Sequence, residues 1–207
     1  MVRVGLTGGI ACGKTTVAKM LEGMGARLVY ADTVAHQLYA PGAPVYVEVV
    51  KQFGPEIVQQ NGQIDRAKLG AIAFGQGRIE ELNRIVHPAV VRSQEQWMNE
   101  ITAREPQAVV IVEAALIYEA GVAGRFSKVI VVTCQPDQKV TRYAQRTGIG
   151  EPAALVEVER RSRAQLPDAE KVRRGDYVID NSSTLERTRE QTARIYSELK
   201  VLAISRQ

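Results

Sequence analysis

A glycine-rich segment, GGIACGKT at residues 8–15, constrains the fold of this chain more than any other feature. It matches the pattern G-x-x-x-x-G-K-[ST] and lies between an apolar run, residues 2–7, and a helical pattern, residues 14–24. Glycine loses more conformational entropy on folding than other residues, so this loop is unfavourable to hold in one shape. The order of strand, loop and helix therefore predicts a tight strand-to-helix connection with an unusual backbone conformation.

The chemistry of this loop points to phosphate binding. The backbone N–H groups of such a loop turn inward to form an anion site, and the N-terminus of the following helix adds positive potential. Lys14 then reaches the β- and γ-phosphates of a nucleoside triphosphate, and the hydroxyl of Thr15 can ligate Mg²⁺. A turn in which glycine merely permits sharp geometry is the alternative, but the full pattern and its context favour phosphate. The predicted ATP-binding residues of the loop are Gly9, Ile10, Ala11, Cys12, Gly13, Lys14, Thr15 and Thr16.

Apolar strand patterns alternate with helical patterns along much of the chain. The predicted strands are residues 2–7, 27–31, 108–113, 128–133 and 176–180. The helical patterns that follow them are residues 14–24, 136–147 and 185–200. The last three strands are rich in β-branched residues and almost wholly apolar, as expected for strands covered on both faces. This alternation predicts an α/β fold with a parallel sheet and right-handed crossovers.

Two helical stretches interrupt the alternation. Residues 34–105 contain several helical patterns but no convincing strand, and residues 138–174 are helical and dense in arginine and lysine. We interpret both as insertions into one α/β core, which then consists of residues 1–33, 106–137 and 175–207. A chain of 207 residues is long enough to bury a substantial core.

Composition and charge limit the classes of partner. Hydrophobic residues make up 45% and charged residues 24%, as in soluble globular proteins, and no apolar run approaches the ~20 residues of a membrane helix. The sequence shows no signal-peptide pattern, and Cys12 and Cys134 form neither a disulfide framework nor a metal-ligand spacing, which favours a cytoplasmic location. The net charge of +4 is compatible with nucleic acid, but the arginines cluster within residues 142–174 with few aromatics to stack bases. An anionic small molecule explains this cluster equally well, so charge alone does not decide between the two. Our prediction is small-molecule substrates as partners, with no nucleic acid and no membrane.

Two acids lie at the carboxyl ends of predicted strands, where the ligands of open α/β sheets collect. Asp32 follows the second strand and Glu113 ends the third. Two carboxylates beside a phosphate loop suit phosphoryl transfer, because one can orient or deprotonate the attacking hydroxyl while the other supports Mg²⁺. The alternative for Asp32 is an N-cap of a helix that starts near Val34. The two roles of Asp32 are compatible.

A series of segments runs in order through nearly the whole chain. The segments are LTGGIACGKTTVA, YADTVAHQLYAPG, IVHPAV at 85–90, VEAALIYE at 112–119, the stretch 138–146, RSRAQ at 161–165 and DYVIDNSSTLE at 176–186. Phosphate loops occur in many kinases, but this ordered series does not. It resembles the dephospho-CoA kinase family, whose members phosphorylate the ribose 3′-hydroxyl of dephospho-CoA.

The resemblance implies a P-loop NTPase-type three-layer sandwich with a five-stranded parallel sheet, a helical acceptor-binding insertion at residues 34–105 and a helical lid at residues 138–174. It also implies ATP and dephospho-CoA as substrates with Mg²⁺, and we favour a monomer. By the same comparison Asp32 activates the acceptor hydroxyl and Arg142 contacts ATP, so that Asp32, Lys14 and Arg142 are the predicted catalytic residues. The further residues implied are Arg146, Arg161 and Asn181 for ATP, and His87, Leu116, Ile117 and Tyr118 for the acceptor.

The chain departs from the family pattern at three places. Ala11-Cys12 stands where the family usually has Gly-Ser, Glu113 stands where many relatives have aspartate, and Ser183 stands where glycine is usual. The side chains of Ala11 and Cys12 are small, so the loop should still bind phosphates, while the metal role of Glu113 stays open. Cys12 lies beside Lys14 and a helix N-terminus, a setting that favours a reactive thiolate, and a small buried side chain is the alternative.

Several implied site residues keep a second interpretation. His87 precedes Pro88, so it either binds the acceptor or lies where one helix ends and the next begins. Arg142 and Arg146 lie four residues apart on one helix face, and with Arg161 they form either a phosphate-binding face or an ordinary solvated surface.

Three other functions are alternatives. A nucleoside monophosphate kinase shares the loop, the acceptor insertion and the arginine-bearing lid, and the segments at residues 85–90 and 112–119 speak against it by resemblance only. A GTP-dependent switch usually carries an Asn-Lys-x-Asp segment after a late strand, which this sequence lacks. A nucleic-acid-binding ATPase is suggested only by the pI near 9.1.

Overall fold

The fold is built on a five-stranded parallel sheet, with strand order β2-β3-β1-β4-β5, in a computed structural model that describes residues 1–205. The strands are β1 (Val2–Gly8), β2 (Arg27–Tyr30), β3 (Val109–Glu113), β4 (Lys128–Thr133) and β5 (Tyr177–Asp180). The five strands therefore coincide with the predicted segments to within two residues at each end. The predicted α/β class is confirmed.

The three central strands form the middle of the core. In β1, Val2, Val4 and Leu6 are fully buried, and β3 and β4 are buried over almost their whole length. Leu6 pairs in register with Glu113 of β3 and with Ile130 of β4. This register brings the ends of β1, β3 and β4 to one edge of the sheet, and the phosphate loop follows β1 at that edge.

Nine α-helices lie within residues 1–205. They are α1 (Lys14–Gly23), α2 (Ala31–Leu38), α3 (Pro44–Phe53), α4 (Arg66–Gly75), α5 (Ile79–Arg104), α6 (Pro136–Thr147), α7 (Glu151–Arg163), α8 (Asp168–Arg174) and α9 (Leu185–Ser205). None of these helices is long and apolar enough to cross a membrane.

The chain divides into two compact units. One consists of residues 1–28 with the chain from residue 100 onward, and the other is Val29–Asn99. The predicted insertion, residues 34–105, begins and ends a few residues later than this second unit. The predicted division into three parts, with a lid at residues 138–174, stays a prediction.

The unit Val29–Asn99 has its own hydrophobic core. Helices α3, α4 and α5 contribute apolar side chains to it, among them Val49, Phe53, Leu69 and Val86. An isolated antiparallel bridge joins Val58 to Ile64. Because the members of this core lie on helices and the turns between them, we call the unit Val29–Asn99 the helical subdomain.

Helix α5 continues through Pro88, so the predicted alternative of a helix end at His87 is wrong. Proline removes one backbone hydrogen bond inside a helix and is unfavourable there. Val86 and Ala89, on either side of this position, are both buried in the core of the subdomain, while His87 and Pro88 are exposed. Packing on both sides of Pro88 therefore keeps the helix continuous.

Candidate active site

The loop after β1 has the backbone conformation that its glycines predict. Gly13 is the residue before α1 and has φ 93°, in the left-handed region. A Cβ atom at Gly13 would overlap the side-chain amide nitrogen of Asn181. Ala11 has φ 53° and is the one non-glycine residue with positive φ within residues 1–205. Glycine is therefore required at position 13 both by the backbone and by the close approach of Asn181.

Lys14 lies over this loop rather than pointing into solvent. Its ammonium donates hydrogen bonds to the carbonyl oxygens of Gly8 (3.1 Å) and Gly9 (3.0 Å). The positive charge is thus held at the mouth of the loop, where backbone N–H groups and the N-terminus of α1 also favour an anion. This arrangement is suited to the phosphates of a nucleotide.

Asn181, in the segment between β5 and α9, is hydrogen-bonded to the backbone of the loop. Its amide nitrogen donates to the carbonyl of Cys12 (2.9 Å), and its amide oxygen accepts from the hydroxyl of Thr188 (2.9 Å). The side chain is buried, with 4% of its surface exposed. Asn181 was predicted to contact the nucleotide, and in the structure its side chain is engaged with the loop backbone.

Arg142 reaches the same place from α6. One guanidinium nitrogen, Nη2, donates to the backbone carbonyl of Asn181 at 2.8 Å. The other, Nη1, lies 4.0 Å from the position of a Cβ on Gly13. This Nη1 atom is buried and has no hydrogen-bond partner among the described residues. A buried N–H group without an acceptor is unfavourable by about 1–3 kcal/mol or more when charged, so this nitrogen is placed to donate to an anion at the loop.

Arg146 and Arg161 are brought together by one aromatic ring. Their guanidinium carbons lie 5.2 Å and 5.6 Å from the centroid of the Tyr143 ring, which is buried between α6 and α7. Ile10 of the loop packs in the same apolar cluster as Tyr143. The two arginines are exposed. Because Ile10 packs with Tyr143, helices α6 and α7 are held against the phosphate loop by apolar contact.

A buried lysine that sequence reasoning missed also contacts the loop. Lys139 of α6 forms an ion pair with Asp168, the first residue of α8. A Cβ on Gly9 would lie 2.6 Å from Asp168 Oδ1 and 2.9 Å from Lys139 Nζ. Lys139 lies three residues before Arg142 on the same helix face, and that spacing is the signal that would have identified it.

Lys171 of α8 is a second missed lysine, and its side chain is fully buried. Its ammonium pairs with Glu119 Oε1 at 2.9 Å and donates to the carbonyl of Ala115 at 3.0 Å. The same Glu119 oxygen accepts from the backbone N–H of Leu166 at 2.8 Å. These contacts tie α8 and the segment before it to the chain that follows β3.

That chain carries three predicted acceptor residues in different environments. Leu116 is exposed, whereas Ile117 is buried against Gly5 of β1, where an added Cβ would lie 2.8 Å from Ile117 Cδ1. Burial raises the pKa of Tyr118. Its hydroxyl is buried with no hydrogen-bond partner among residues 1–205. The side chain of Ile117 is therefore part of the core. Of the three residues, Leu116 and Tyr118 are left to contact a ligand through their side chains.

Asp32 and His87 belong to the helical subdomain. Helix α2 begins at Ala31 with Tyr30 in the capping position and no side-chain cap, so the predicted N-cap role of Asp32 is wrong. Asp32 lies in the first turn instead, because the helix starts directly at the end of β2, three residues earlier than expected. Both Asp32 and His87 are exposed.

The candidate oxygen ligands for Mg²⁺ are on Thr15 and Glu113. Thr15, the second residue of α1, is exposed, and Glu113 ends β3 next to β1. No group of three or more histidine, cysteine or acidic side chains that could hold a metal occurs within residues 1–205. Magnesium in phosphoryl-transfer sites is typically bound by one or two protein oxygens together with phosphates and water. The hydroxyl of Thr15 and the carboxylate of Glu113 are suited to bind Mg²⁺ in this way.

Cys12 is not a reactive thiolate. Its side chain is fully buried, and burial raises its pKa despite the opposing charge of Lys14. Burial likewise raises the pKa of Cys134, to about 11. Both thiols are therefore neutral near pH 7, and the interpretation of Cys12 as a small buried side chain is the one that the structure supports.

Comparison with known proteins gives a consistent result. A family model described as dephospho-CoA kinase matches residues 2–187. The dephospho-CoA kinases of Aquifex aeolicus and Geobacillus kaustophilus are each 40% identical to this chain over 200 residues, covering 96% of it and 98% and 97% of their own lengths. A crystal structure of a Thermus thermophilus protein superposes with a TM-score of 0.78 at 31% identity, covering 96% of this chain and 97% of the other.

The buried ion pair of Lys171 predicts a large effect on stability. Replacement Lys171→Met leaves the carboxylate of Glu119 without its cation, and breaking a buried pair in this way typically lowers the free energy of unfolding by about 3–5 kcal/mol. Arg173→Met is the matched control, because Arg173 is on the same helix in an exposed pair with Glu170 and its loss should leave the free energy of unfolding nearly unchanged. Urea unfolding measures both values, and equal stability of the two variants would contradict a structural role for Lys171.

Proposed function

The chain belongs to the dephospho-CoA kinase family, and we propose that the loop at residues 8–15, Arg142 and Asp32 carry out its reaction. The enzyme transfers the γ-phosphoryl group of ATP to the ribose 3′-hydroxyl of dephospho-CoA, which gives CoA and ADP in the final step of CoA biosynthesis. The observation that best supports the assignment of these residues is the buried Nη1 of Arg142 beside Gly13, which has no hydrogen-bond partner within residues 1–205.

The phosphate loop and its neighbours supply electrostatic stabilisation. Phosphoryl transfer depends mainly on positioning and on neutralising charge at the transferred group. The ammonium of Lys14, the backbone N–H groups of the loop and the guanidinium of Arg142 converge on one region of the structure. We assign Lys14 to the β- and γ-phosphates and Nη1 of Arg142 to a phosphate oxygen.

Asp32 is the proposed base for the acceptor hydroxyl. It is an exposed carboxylate in the first turn of α2, and Tyr30 rather than Asp32 occupies the capping position of that helix. A carboxylate within hydrogen-bond reach can orient the 3′-hydroxyl and accept its proton while that oxygen attacks the γ-phosphorus. The attack is direct and in line, with ADP as the leaving group and without a covalent enzyme intermediate.

A magnesium ion is the proposed metal cofactor. We assign the hydroxyl of Thr15 as its protein ligand and the carboxylate of Glu113 as a supporting oxygen, directly or through water. When bound, the ion neutralises charge on the β- and γ-phosphates.

The remaining assignments follow the family resemblance. The proposed ATP contacts are Arg146, Arg161 and Asn181, and the proposed acceptor contacts are His87, Leu116, Ile117 and Tyr118. The side chain of Ile117 is buried, so its contribution would be through the backbone. A lid at residues 138–174, a monomeric state and a cytoplasmic location are part of the same proposal.

Acceptor identity is the direct test of function. The purified protein is incubated with ATP, Mg²⁺ and one acceptor at a time: dephospho-CoA, adenosine, AMP, CMP or UMP. We expect ADP release to depend on dephospho-CoA and the product to carry a 3′-phosphate. Turnover with a nucleoside monophosphate, together with none on dephospho-CoA, would instead indicate a nucleoside monophosphate kinase.

Arg142→Ala should lower kcat far more than it lowers stability. Arginines that neutralise charge in phosphoryl transfer contribute about 10³- to 10⁵-fold to kcat, and we expect a loss toward the lower end for a residue that also holds Asn181. Arg163→Ala is the control, because that side chain on α7 is 82% exposed. Steady-state kinetics and thermal melting are measured on both variants, and unchanged kinetics for Arg142→Ala would make it an ordinary structural residue.

Asp32→Asn tests the base. The substitution keeps the shape of the side chain and removes its basicity, and a general base typically contributes about 10²- to 10⁴-fold. We expect kcat to fall by such a factor while ATP affinity and the melting temperature stay close to wild type. Glu48→Gln, at an exposed position on α3 of the same subdomain, should leave kcat unchanged. Near-normal turnover by Asp32→Asn would exclude Asp32 as the base.

A further inference from the structure

A cavity in the helical subdomain has the chemistry of an anion site. Its volume is about 300 Å³, and it is lined by polar side chains of His36, Tyr39, Gln63 and Arg66 with an apolar wall that includes Ile64. All of these residues lie within the unit Val29–Asn99. None of them is among the residues assigned above to ATP or to the acceptor.

The cation at this cavity is the guanidinium of Arg66. The guanidinium of Arg66 contacts both ring nitrogens of His36 through Nη1, which lies 2.9 Å from Nδ1 and also against Nε2. The guanidinium carbon lies 6.0 Å from the centroid of the Tyr39 ring. The neighbouring acid, Asp65, uses its side-chain oxygen to cap α4, accepting from the N–H groups of Ala67 and Lys68 at 3.0 Å each. No ion pair of Arg66 occurs within residues 1–205, so the charge is available to an anionic ligand.

The hydroxyl of Tyr39 is a second donor at the same place. Burial raises the pKa of Tyr39, and the charge of Arg66 only partly opposes this effect. The phenol is therefore protonated at neutral pH and can donate a hydrogen bond. Arg66, His36 and Tyr39 together offer the donors that phosphate oxygens accept.

Helix α2 connects this cavity to the proposed base. Asp32, His36 and Tyr39 are spaced by four and three residues, which places them along one face of the helix. With a rise of ~1.5 Å per residue, His36 lies about 6 Å along the axis from Asp32. In dephospho-CoA a few covalent bonds separate the 3′-hydroxyl from the 5′-diphosphate of the same ribose. An acceptor whose hydroxyl meets Asp32 thus carries its diphosphate about one helical turn away.

We propose that Arg66, with His36 and Tyr39, binds the 5′-diphosphate of the acceptor and so selects a nucleoside diphosphate ester over a plain nucleoside. The inference rests on the proposed function, because it takes Asp32 as the residue that meets the 3′-hydroxyl. Binding at one end of the ribose orients the hydroxyl at the other, which is how remote contacts contribute to a transfer reaction. Arg66 is in this sense a specificity-determining residue rather than a catalytic one.

The test measures binding of two acceptors. Dephospho-CoA and adenosine, which lacks the diphosphate, are titrated calorimetrically into the enzyme saturated with a non-hydrolysable ATP analogue and Mg²⁺. For Arg66→Ala we expect the Kd of dephospho-CoA to rise about 10- to 100-fold, the range for loss of charge-assisted hydrogen bonds, with adenosine unaffected. Arg66→Lys should recover part of the affinity, and the difference from wild type should shrink at high salt.

Arg92→Ala is the matched control, since Arg92 is an exposed arginine of the same subdomain, on α5. It should bind both acceptors as the wild type does, and the melting temperatures of all variants should agree, because Arg66 is exposed. An unchanged Kd of dephospho-CoA in Arg66→Ala, or an equal loss for adenosine, would overturn the inference while wild-type turnover of dephospho-CoA upholds the function. Failure of the wild type to phosphorylate dephospho-CoA would overturn both.

Discussion

The close approach of Asn181 to Gly13 is the contact around which the nucleotide side of the structure is organised. The amide of Asn181 bonds to the carbonyl of Cys12, and its own backbone carbonyl accepts from Arg142. One residue thus connects the end of β5, the phosphate loop and α6. Any side chain at position 13 would collide with the amide of Asn181. Glycine is therefore needed at this position for the contact with Asn181 as well as for the positive φ of the loop.

Two ion pairs with buried lysines connect α6 to α8 beside the phosphate loop, and α8 to the chain after β3. Lys139 pairs with Asp168 beside Gly9, and Lys171 pairs with Glu119 at the chain after β3. Apolar packing of Ile10 against Tyr143 adds a third attachment. Buried ion pairs contribute little net stability but strongly disfavour arrangements in which one partner is left alone. They therefore define where α6 and α8 lie relative to the phosphate loop.

Much of the fold was predictable because strong local signals coincide in it. The apolar, β-branched segments at 109–113 and 128–133 form strands wherever both faces are covered, and the loop motif predicts its own connection. The ends of helices that depend on packing were harder to predict from the sequence. Helix α2 starts at Ala31 rather than near Val34, and α5 runs through Pro88, because tertiary contacts outweigh the local preferences of those residues.

The sequence by itself determined the α/β class, the phosphate loop and the family, since each depends on residue types at fixed spacing along the chain. Tertiary structure decided which charges act together. Lys139 and Asp168, Lys171 and Glu119, and His36 and Arg66 are each separated by about thirty residues or more, and nothing in local periodicity links them. The burial of Cys12, which raises the pKa of its thiol, was likewise decided only by packing, because desolvation depends on what surrounds a side chain in space.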